Sequence, residues 1–165
     1  MLRKGKDISL SLLETKLDDA DSGVRETAVK AIGPVFAETV RQGKDINLAL
    51  LEAKLDDPEG YVRIAALNAI GMVYAELVRQ GKDINLPLLE TRLSDPSGDG
   101  EMRGTAINAL GPVYAEMIRQ GKEINLAFLE AKLNDPVRIR MCIKIPLSSY
   151  FFQNALSNKR SCAAS

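Results

Sequence analysis

The amino-acid sequence predicts an all-α repeat protein, an α-solenoid built from about three and a half pairs of helices. The first observation is a motif, Gly-Lys-(Asp/Glu)-Ile, that begins at Gly5, Gly43, Gly81 and Gly121, so that the repeats are 38, 38 and 40 residues long. The second is that each complete repeat contains a short and a long run of apolar residues at helical spacing. A period of about 20–50 residues is typical of units that bury their apolar faces by stacking on a neighbour.

The first half of each repeat predicts a short helix of about ten residues. In the second repeat, Leu48, Leu51 and Leu55 fall on one face of this helix. Gly43 is expected to end the preceding helix, and Asn47 is expected to cap the start of the new one. The equivalent positions also carry good capping residues, namely Ser9, Asn85 and Asn125.

The second half of each repeat predicts a longer helix that starts at an aspartate. Asp57 is the expected N-cap and Pro58 the expected first-turn residue, and the pair recurs as Asp95–Pro96 and Asp135–Pro136. The apolar stripe that follows is broad, and its members are Val62, Ala66, Ala69, Ile70, Val73 and Leu77. A stripe of that width indicates a helix that packs on several sides.

A Gly-Pro pair interrupts the long helical pattern in two of the repeats. Gly33–Pro34 and Gly111–Pro112 lie in mid-pattern, where proline removes a backbone hydrogen bond and clashes with the preceding turn. The same site in the second repeat is Gly71–Met72, which a helix can pass through without a break. We therefore expect one long helix, kinked at this site, and the alternative is two helices split at the glycine.

Residues 55–71, LDDPEGYVRIAALNAIG, resemble the HEAT-repeat pattern of a leucine, an Asp-Pro turn, Val-Arg, spaced alanines and a final glycine. Repeats one to three carry the whole pattern, and the fourth keeps its first helix and Val137–Arg138, so the resemblance covers residues 5 to about 138. It implies a right-handed α–α superhelix of HEAT-like helix pairs, whose second helices line the concave surface. HEAT-like proteins include scaffolds, transport receptors, lyases and one class of DNA glycosylase, so the resemblance leaves the activity open.

The domain organisation follows from where the repeat holds and where it fails. We expect a repeat array over residues 1–138, with units 5–42, 43–80, 81–120 and a partial unit 121–138, then a divergent C-terminal capping helix within 139–157 and a disordered tail over 158–165. The first unit carries the polar residues Glu26, Thr27 and Lys30, which is typical of a capping unit. We therefore expect it to be a natural edge, and the alternative is that the chain is a fragment of a longer solenoid.

The composition argues against several classes of function. Histidine is absent from the 165 residues, which removes histidine bases, Ser–His and Cys–His pairs and histidine metal ligands. The 22 Lys and Arg balance the 22 Asp and Glu, so no net charge favours nucleic acid or an anionic membrane. The two cysteines, Cys142 and Cys162, lie outside the regular repeats and indicate a reducing, cytoplasmic setting rather than a disulfide framework. No run approaches the roughly 18 apolar residues of a membrane span.

One position of the long helix carries the best candidates for a binding surface. Lys30, Asn68 and Asn108 occupy this position in successive repeats, and the resemblance to HEAT repeats places it on the concave surface. Stacked asparagines there resemble the asparagine ladder of armadillo repeats, which hydrogen-bonds a peptide backbone, because an amide both donates and accepts. Charged residues are expected to flank the position, namely Glu76, Arg79, Glu116 and Arg119. The alternative is that these are ordinary surface residues.

Two further sets of charged residues recur with the repeat. Arg25, Arg63, Arg103 and Arg138 follow the turn, a few residues after Asp19, Asp57, Asp95 and Asp135. We interpret them as a structural ladder in which each arginine bonds turn carboxylates, and the alternative is an anion-binding ladder. Glu38, Glu76 and Glu116 precede Arg41, Arg79 and Arg119 by three residues, which predicts solvated same-face pairs worth ~0.2–0.5 kcal/mol each.

The last four residues, Cys162-Ala-Ala-Ser, fit a C-a-a-X prenylation box whose final serine favours a farnesyl group. A farnesyl group on Cys162 would tether the protein weakly to a membrane. The alternative, which we favour, is a chance match in an irregular tail.

Together these observations predict a non-catalytic protein–protein interaction module or scaffold that binds a peptide or a partner domain on its concave face. No catalytic residue, cofactor or metal is expected. The alternative is an enzyme or enzyme auxiliary of HEAT type, such as a bilin lyase-like protein or a nucleic-acid enzyme, which the absence of His and Trp and the balanced charge disfavour.

Overall fold

Short and long helices alternate along the chain in the computed structural model, which describes residues 4–93 and 100–125. Over these ranges the structure is all-α and contains no strand. The α-helices are α1 (Lys4–Lys16), α2 (Ser22–Arg41), α3 (Ala49–Glu52), α4 (Gly60–Arg79), α5 (Leu86–Arg92) and α6 (Gly100–Arg119). A 3₁₀ helix, Ala53–Asp56, directly follows α3. The all-α prediction is therefore confirmed for the described residues.

The three long helices α2, α4 and α6 are each one continuous helix of 20 residues. Pro34 lies inside α2 and Pro112 inside α6, and both prolines are solvent-exposed. The expectation of one long helix per repeat is thus confirmed, and the alternative of two helices split at the glycine is wrong.

The long helices start later than the sequence suggested. α4 begins at Gly60 with Glu59 as its N-cap, so the prediction that Asp57 caps this helix is wrong. The reason is that Asp57 Oδ1 accepts a hydrogen bond from Glu59 N at 2.9 Å, which closes a turn before the helix begins. In the first repeat, Asp21 is the N-cap and accepts hydrogen bonds from Gly23 N at 2.7 Å and Val24 N at 3.2 Å.

The predicted caps of the short helices are also mostly wrong. Ser9 lies inside α1, because the helix already begins at Lys4. The N-cap of α3 is Leu48 rather than Asn47, and it makes no side-chain capping bond. Asn85 does occupy the N-cap of α5, but without a side-chain hydrogen bond. The helix expected after Asn125 lies outside the described residues, as do Asp95 and Asp135.

Each long helix ends at a glycine in the left-handed conformation, as the sequence predicted. Gly43, Gly81 and Gly121 have φ values of 72°, 72° and 69°, which a residue with a Cβ atom rarely adopts. The next amide then bonds back into the helix, as Lys82 N does to Leu77 O at 2.9 Å. This turn sends the chain from one repeat into the next.

The long helices form a layer in which α4 packs between α2 and α6. The short helices pack against them, α1 on α2, α3 and its 3₁₀ extension on α4, and α5 on α6. Fully buried side chains fill the space between, among them Ile32, Phe36, Leu51, Leu55, Leu67, Ile70, Tyr74, Leu89, Leu110 and Tyr114. The superhelix and its right hand remain predictions.

Helix α4 is long and apolar enough to cross a membrane by composition alone, with a mean hydropathy of 1.3 over 18 residues. The sequence analysis looked for an uninterrupted apolar run, which Arg63, Asn68 and Glu76 break in this helix, and therefore did not single it out. In the structure 67% of this stretch is buried, because α2 and α6 cover the helix on two sides. The breadth of the apolar stripe thus reflects packing between neighbours.

The predictions for the end of the chain lie outside the described residues. They concern the partial unit 121–138 beyond residue 125, the capping helix within 139–157, the tail over 158–165 and the prenylation box at Cys162.

Candidate functional site

A cleft of about 300 Å³ lies between α2 and α4, next to the start of α6. Its lining residues are Glu26, Lys30, Tyr61, Ile64, Ala65, Asn68, Ala69, Met72 and Glu101. The structure thus brings together Lys30 and Asn68, two of the three residues that the sequence placed at one stacked position. Asn108 is exposed on α6 and does not line this cleft.

The floor of the cleft is apolar because α2 and α4 approach each other closely at small residues. A Cβ atom built on Gly33 would lie 2.8 Å from Ala69 Cβ, which is shorter than real Cβ contacts. Ala65 and Ala69 are buried, whereas Met72 beside them is exposed. The close approach of the two helices therefore leaves a shallow groove with an apolar base.

Tyr61 is the most exposed aromatic side chain among the described residues, with 68% of its surface accessible. It lies in the first turn of α4, where the equivalent residues are Gly23 in the first repeat and Glu101 in the third. The sequence analysis missed it, because it looked for residues that recur in every repeat. The signal that could have found it is an aromatic residue at a position that is otherwise small or acidic.

The polar groups of the cleft are partly paired with each other. Lys30 Nζ contacts Glu26 Oε1 at 2.5 Å within α2, and the Lys30 side chain is 63% exposed. Asn68 Nδ2 donates a hydrogen bond to Ile64 O at 3.2 Å. Since an amide has two N–H donors and one acceptor, Asn68 keeps a donor and an acceptor for a ligand. Glu101 adds a second carboxylate at the start of α6.

The other predicted site residues form a separate structure, which we call the charged ladder: Arg41, Glu76, Arg79, Glu116 and Arg119. Glu76 Oε2 contacts Arg79 Nη1 of its own helix at 2.5 Å and Arg41 Nη2 of the preceding long helix at 3.4 Å. Glu116 Oε2 does the same with Arg119 Nη1 at 2.9 Å and Arg79 Nε at 3.5 Å. The ladder therefore joins three successive repeats.

The prediction that these pairs form a solvated face is wrong for two of the glutamates. Glu76 is only 4% exposed and Glu116 only 7%, because each faces the preceding long helix. Glu76 also lies eight residues after Asn68, about 12 Å along the axis of α4. The ladder therefore does not flank the cleft closely, and its arrangement indicates a structural role.

One of the turn arginines, Arg25, bridges two repeats, as the structural interpretation predicted. Arg25 donates two hydrogen bonds to the Asp57 carboxylate of the next repeat, from Nε to Oδ2 at 2.9 Å and from Nη2 to Oδ1 at 3.0 Å. Arg25 and Arg63 each donate to turn carbonyls of their own repeat, Arg25 to Asp19 O at 2.9 Å and Arg63 to Asp57 O at 2.7 Å. Since the guanidinium of Arg25 already donates two hydrogen bonds to the Asp57 carboxylate, an anion-binding role is disfavoured at this position.

The environment of Asp57 keeps its carboxylate charged. Burial opposes ionisation, but the hydrogen bonds from Arg25 and from Glu59 N–H outweigh it and hold the pKa of Asp57 below its usual range. The same pairing raises the pKa of Arg25.

Two buried tyrosines bond a glutamate of the short helix in their own repeat. Tyr74 Oη donates to Glu52 Oε1 at 2.8 Å, and Tyr114 Oη donates to Glu90 Oε1 at 2.5 Å. Burial, and then the adjacent carboxylate, raise the pKa of both phenols well above its usual value. Both therefore stay protonated near neutral pH and serve as hydrogen-bond donors that fasten the short helix to the long one.

Within residues 4–93 and 100–125, no group of three or more acidic or cysteine side chains could hold a metal ion. No protein-family model matches the chain, and neither a curated protein nor a solved structure does so. The function is therefore inferred from the cleft and its residues.

Proposed function

We propose that this protein is a non-catalytic interaction module that binds a peptide segment, or a segment of a partner domain, in the cleft between α2, α4 and α6. The observation that carries the proposal is Tyr61, which lines an apolar-floored cleft and leaves 68% of its surface in water. Tyrosine is enriched at binding hot spots because it buries a large area and loses little conformational entropy.

The polar lining of the cleft supports a peptide as the ligand. The spare donor and acceptor of Asn68 suit a backbone peptide unit, which itself offers one N–H and one C=O. Ala69 and Met72 supply apolar surface for a side chain of that segment. The paired charges of Lys30 and Glu26 would form a polar rim.

Three parts of the proposal rest on the sequence alone. They are a HEAT-like superhelix, the position of this cleft on its concave face and a cytoplasmic location. A protein or peptide partner is favoured over nucleic acid because the 22 basic residues are balanced by 22 acidic ones.

The test is to select peptides from a random display library on the full chain and to measure their affinities by fluorescence anisotropy. Tyr61→Ala should weaken binding by at least about tenfold, since hot-spot truncations cost ~1.4 kcal/mol or more. Asn68→Ala should weaken it by roughly two- to tenfold, the value of one hydrogen bond. Asn108→Ala is the matched control, because this asparagine is equivalent in sequence but lies outside the cleft, and it should leave the affinity unchanged.

The proposal is wrong if the library yields no peptide that binds the folded protein. It is also wrong if Asn68→Ala and Asn108→Ala have equal effects, since binding would then not depend on the cleft.

A further inference from the structure

The charges among the lining residues of the cleft are unequal. Two of these residues carry a carboxylate, Glu26 on α2 and Glu101 on α6, and one carries an ammonium group, Lys30 on α2. The arginines in the first turns of α2 and α4 do not make up the difference, because Arg25 donates to a carboxylate of the next turn and Arg63 donates to the carbonyls of its own turn. The described lining of the cleft therefore favours a positively charged ligand group.

Glu26 can accept a second cation. Lys30 Nζ contacts one of its two carboxylate oxygens, Oε1, and the two residues lie four apart on the surface of α2. Among the described residues, no other donor reaches this carboxylate. Because water screens an ion pair of this kind, the pair contributes little to stability. A ligand cation can thus bind Oε2, or displace Lys30, at low cost.

Tyr61 lies on the middle helix, between the two carboxylates. It is the second residue of α4, as Glu101 is of α6, and α4 packs between α2 and α6. The axes of packed helices are about 8–10 Å apart, so a cation on the ring of Tyr61 lies within reach of a carboxylate on a neighbouring helix. Glu101 makes a contact of its own. Since a carboxylate accepts about four hydrogen bonds, Glu101 can add its charge to the site while keeping that contact.

We infer that the peptide segment bound in this cleft carries an arginine, whose guanidinium stacks on the ring of Tyr61 and donates to the carboxylate of Glu26. This rests on the proposed function and names the chemistry of its ligand. A guanidinium is planar, so that its face can lie on an aromatic ring while the N–H groups at its edge donate to a carboxylate. An ammonium group has no flat face and is more strongly hydrated, so lysine is the weaker ligand.

The length of the cleft sets the distance from this arginine to an apolar residue of the same segment. Tyr61 and Met72 line the cleft and lie eleven residues apart on α4, which is about 16 Å along the helix axis. An extended segment advances about 3.3 Å per residue. A segment that runs along α4 therefore places an apolar side chain on Met72 about five positions from the arginine. The spacing falls to about three where the long arginine side chain reaches along the cleft.

The test uses peptides that are selected from the random library on the full chain and whose binding is weakened by Asn68→Ala. These peptides should share an arginine about three to five positions from an apolar residue. Citrulline in place of that arginine keeps the shape and removes the charge, and it should weaken binding by about tenfold or more. Lysine should weaken it by less. Fluorescence anisotropy at low and high ionic strength should show a loss of affinity with salt for the arginine peptide and a smaller loss for the citrulline peptide.

Two variants of the chain test the role of Glu26. Glu26→Gln should weaken binding of the arginine peptide by roughly three- to tenfold and should leave binding of the citrulline peptide unchanged, since both changes remove the same contact. Lys30→Gln should strengthen binding of the arginine peptide, because it removes the cation that competes for Glu26. Glu38→Gln is the matched control, since Glu38 is an exposed glutamate of the same helix outside the cleft. It should leave both affinities unchanged.

The outcomes separate this arginine site from the proposed function. A library that yields no peptide sensitive to Asn68→Ala overturns both. Peptides that depend on Asn68 but lack an arginine, or that bind as tightly with citrulline in its place, overturn the arginine site alone. It is also overturned if Glu26→Gln and Glu38→Gln have equal effects, or if Glu26→Gln weakens the citrulline peptide as much as the arginine peptide.

Discussion

A single methyl group added at Gly71 tests the close packing of α4 on α6. The Cβ atom of Gly71→Ala would lie 2.7 Å from Ala109 O and 2.8 Å from both Ala109 Cα and Ala109 Cβ. Two of these atoms belong to the backbone of α6, so no side-chain rotation can relieve the overlap. The helices must instead move apart along an interface that also holds the Arg79–Glu116 contact.

The expected change in stability is the difference between two effects. Overpacking of a well-packed core costs about 1–3 kcal/mol, and backbone contact favours the upper end of that range. Replacing a helical glycine by alanine returns about 1 kcal/mol through helix propensity. We therefore expect Gly71→Ala to lower the free energy of unfolding by about 2 kcal/mol. With a urea m-value of about 2 kcal/mol per molar, the unfolding midpoint falls by about 1 M.

Gly111→Ala is the matched variant, because Gly111 holds the same position in the next repeat but meets no described atom within 4 Å. The helix-propensity gain is offset in part because Pro112 follows, and proline disfavours a helical residue with a Cβ atom before it. For Gly111→Ala we expect the free energy of unfolding to change by less than about 1 kcal/mol in either direction. The assay is urea unfolding followed by circular dichroism at a concentration where the protein is monomeric. If Gly71→Ala proves as stable as Gly111→Ala, the described approach of α4 and α6 is wrong.

Two further substitutions, one with a control, test the polar contacts. Asp57→Asn removes the charge that Arg25 binds and should lower the free energy of unfolding by about 2 kcal/mol at pH 7. The control is Asp56→Asn, at an exposed ion pair, which should lower it by less than about 1 kcal/mol. Because the pKa of Asp57 is lowered by folding, its contribution is present above the unfolded-state value of about 4 and is lost as the pH falls through the folded value. Urea unfolding between pH 7 and pH 2 should therefore show a shallower acid loss for Asp57→Asn, and equal slopes would contradict the pairing. Tyr74→Phe removes the bond to Glu52 and should cost about 1 kcal/mol at pH 7. Since folding raises this phenol's pKa, the wild type should lose stability as the pH rises above about 10, and a Phe variant with the same alkaline loss would refute the assignment.

The repeat period was enough to predict the helical class and the glycine turns. Gly43 and its equivalents predicted the helix ends correctly because a left-handed turn needs glycine, which is a local requirement. The helix start at Asp57 was predicted wrongly because its carboxylate serves a turn and a distant arginine. Because the carboxylate makes these two contacts instead of capping the helix, the helix begins three residues later, at Gly60.

The burial of Glu76 could not be predicted from the sequence of its own helix, α4. The spacing to Arg79 indicated a surface pair, yet the residue that covers Glu76 lies on α2, and Arg41 is 35 residues away in the chain. Tyr61 was missed for a different reason, since it breaks the repeat rather than following it. Two of the three residues predicted to stack, Lys30 and Asn68, do nevertheless line one cleft.

The polar contacts between repeats have a consequence for how the chain can change in length. They join residues that are 32 to 42 positions apart, about one repeat, as Arg25 joins Asp57 and Gln120 joins Val78. Removing residues 43–80 would bring Gly33 opposite Ala109 and Arg41 opposite Glu116, the same kinds of neighbour that each already has. A whole repeat can therefore be deleted or duplicated without designing a new interface, whereas a deletion of half a repeat would leave every one of these partners out of phase.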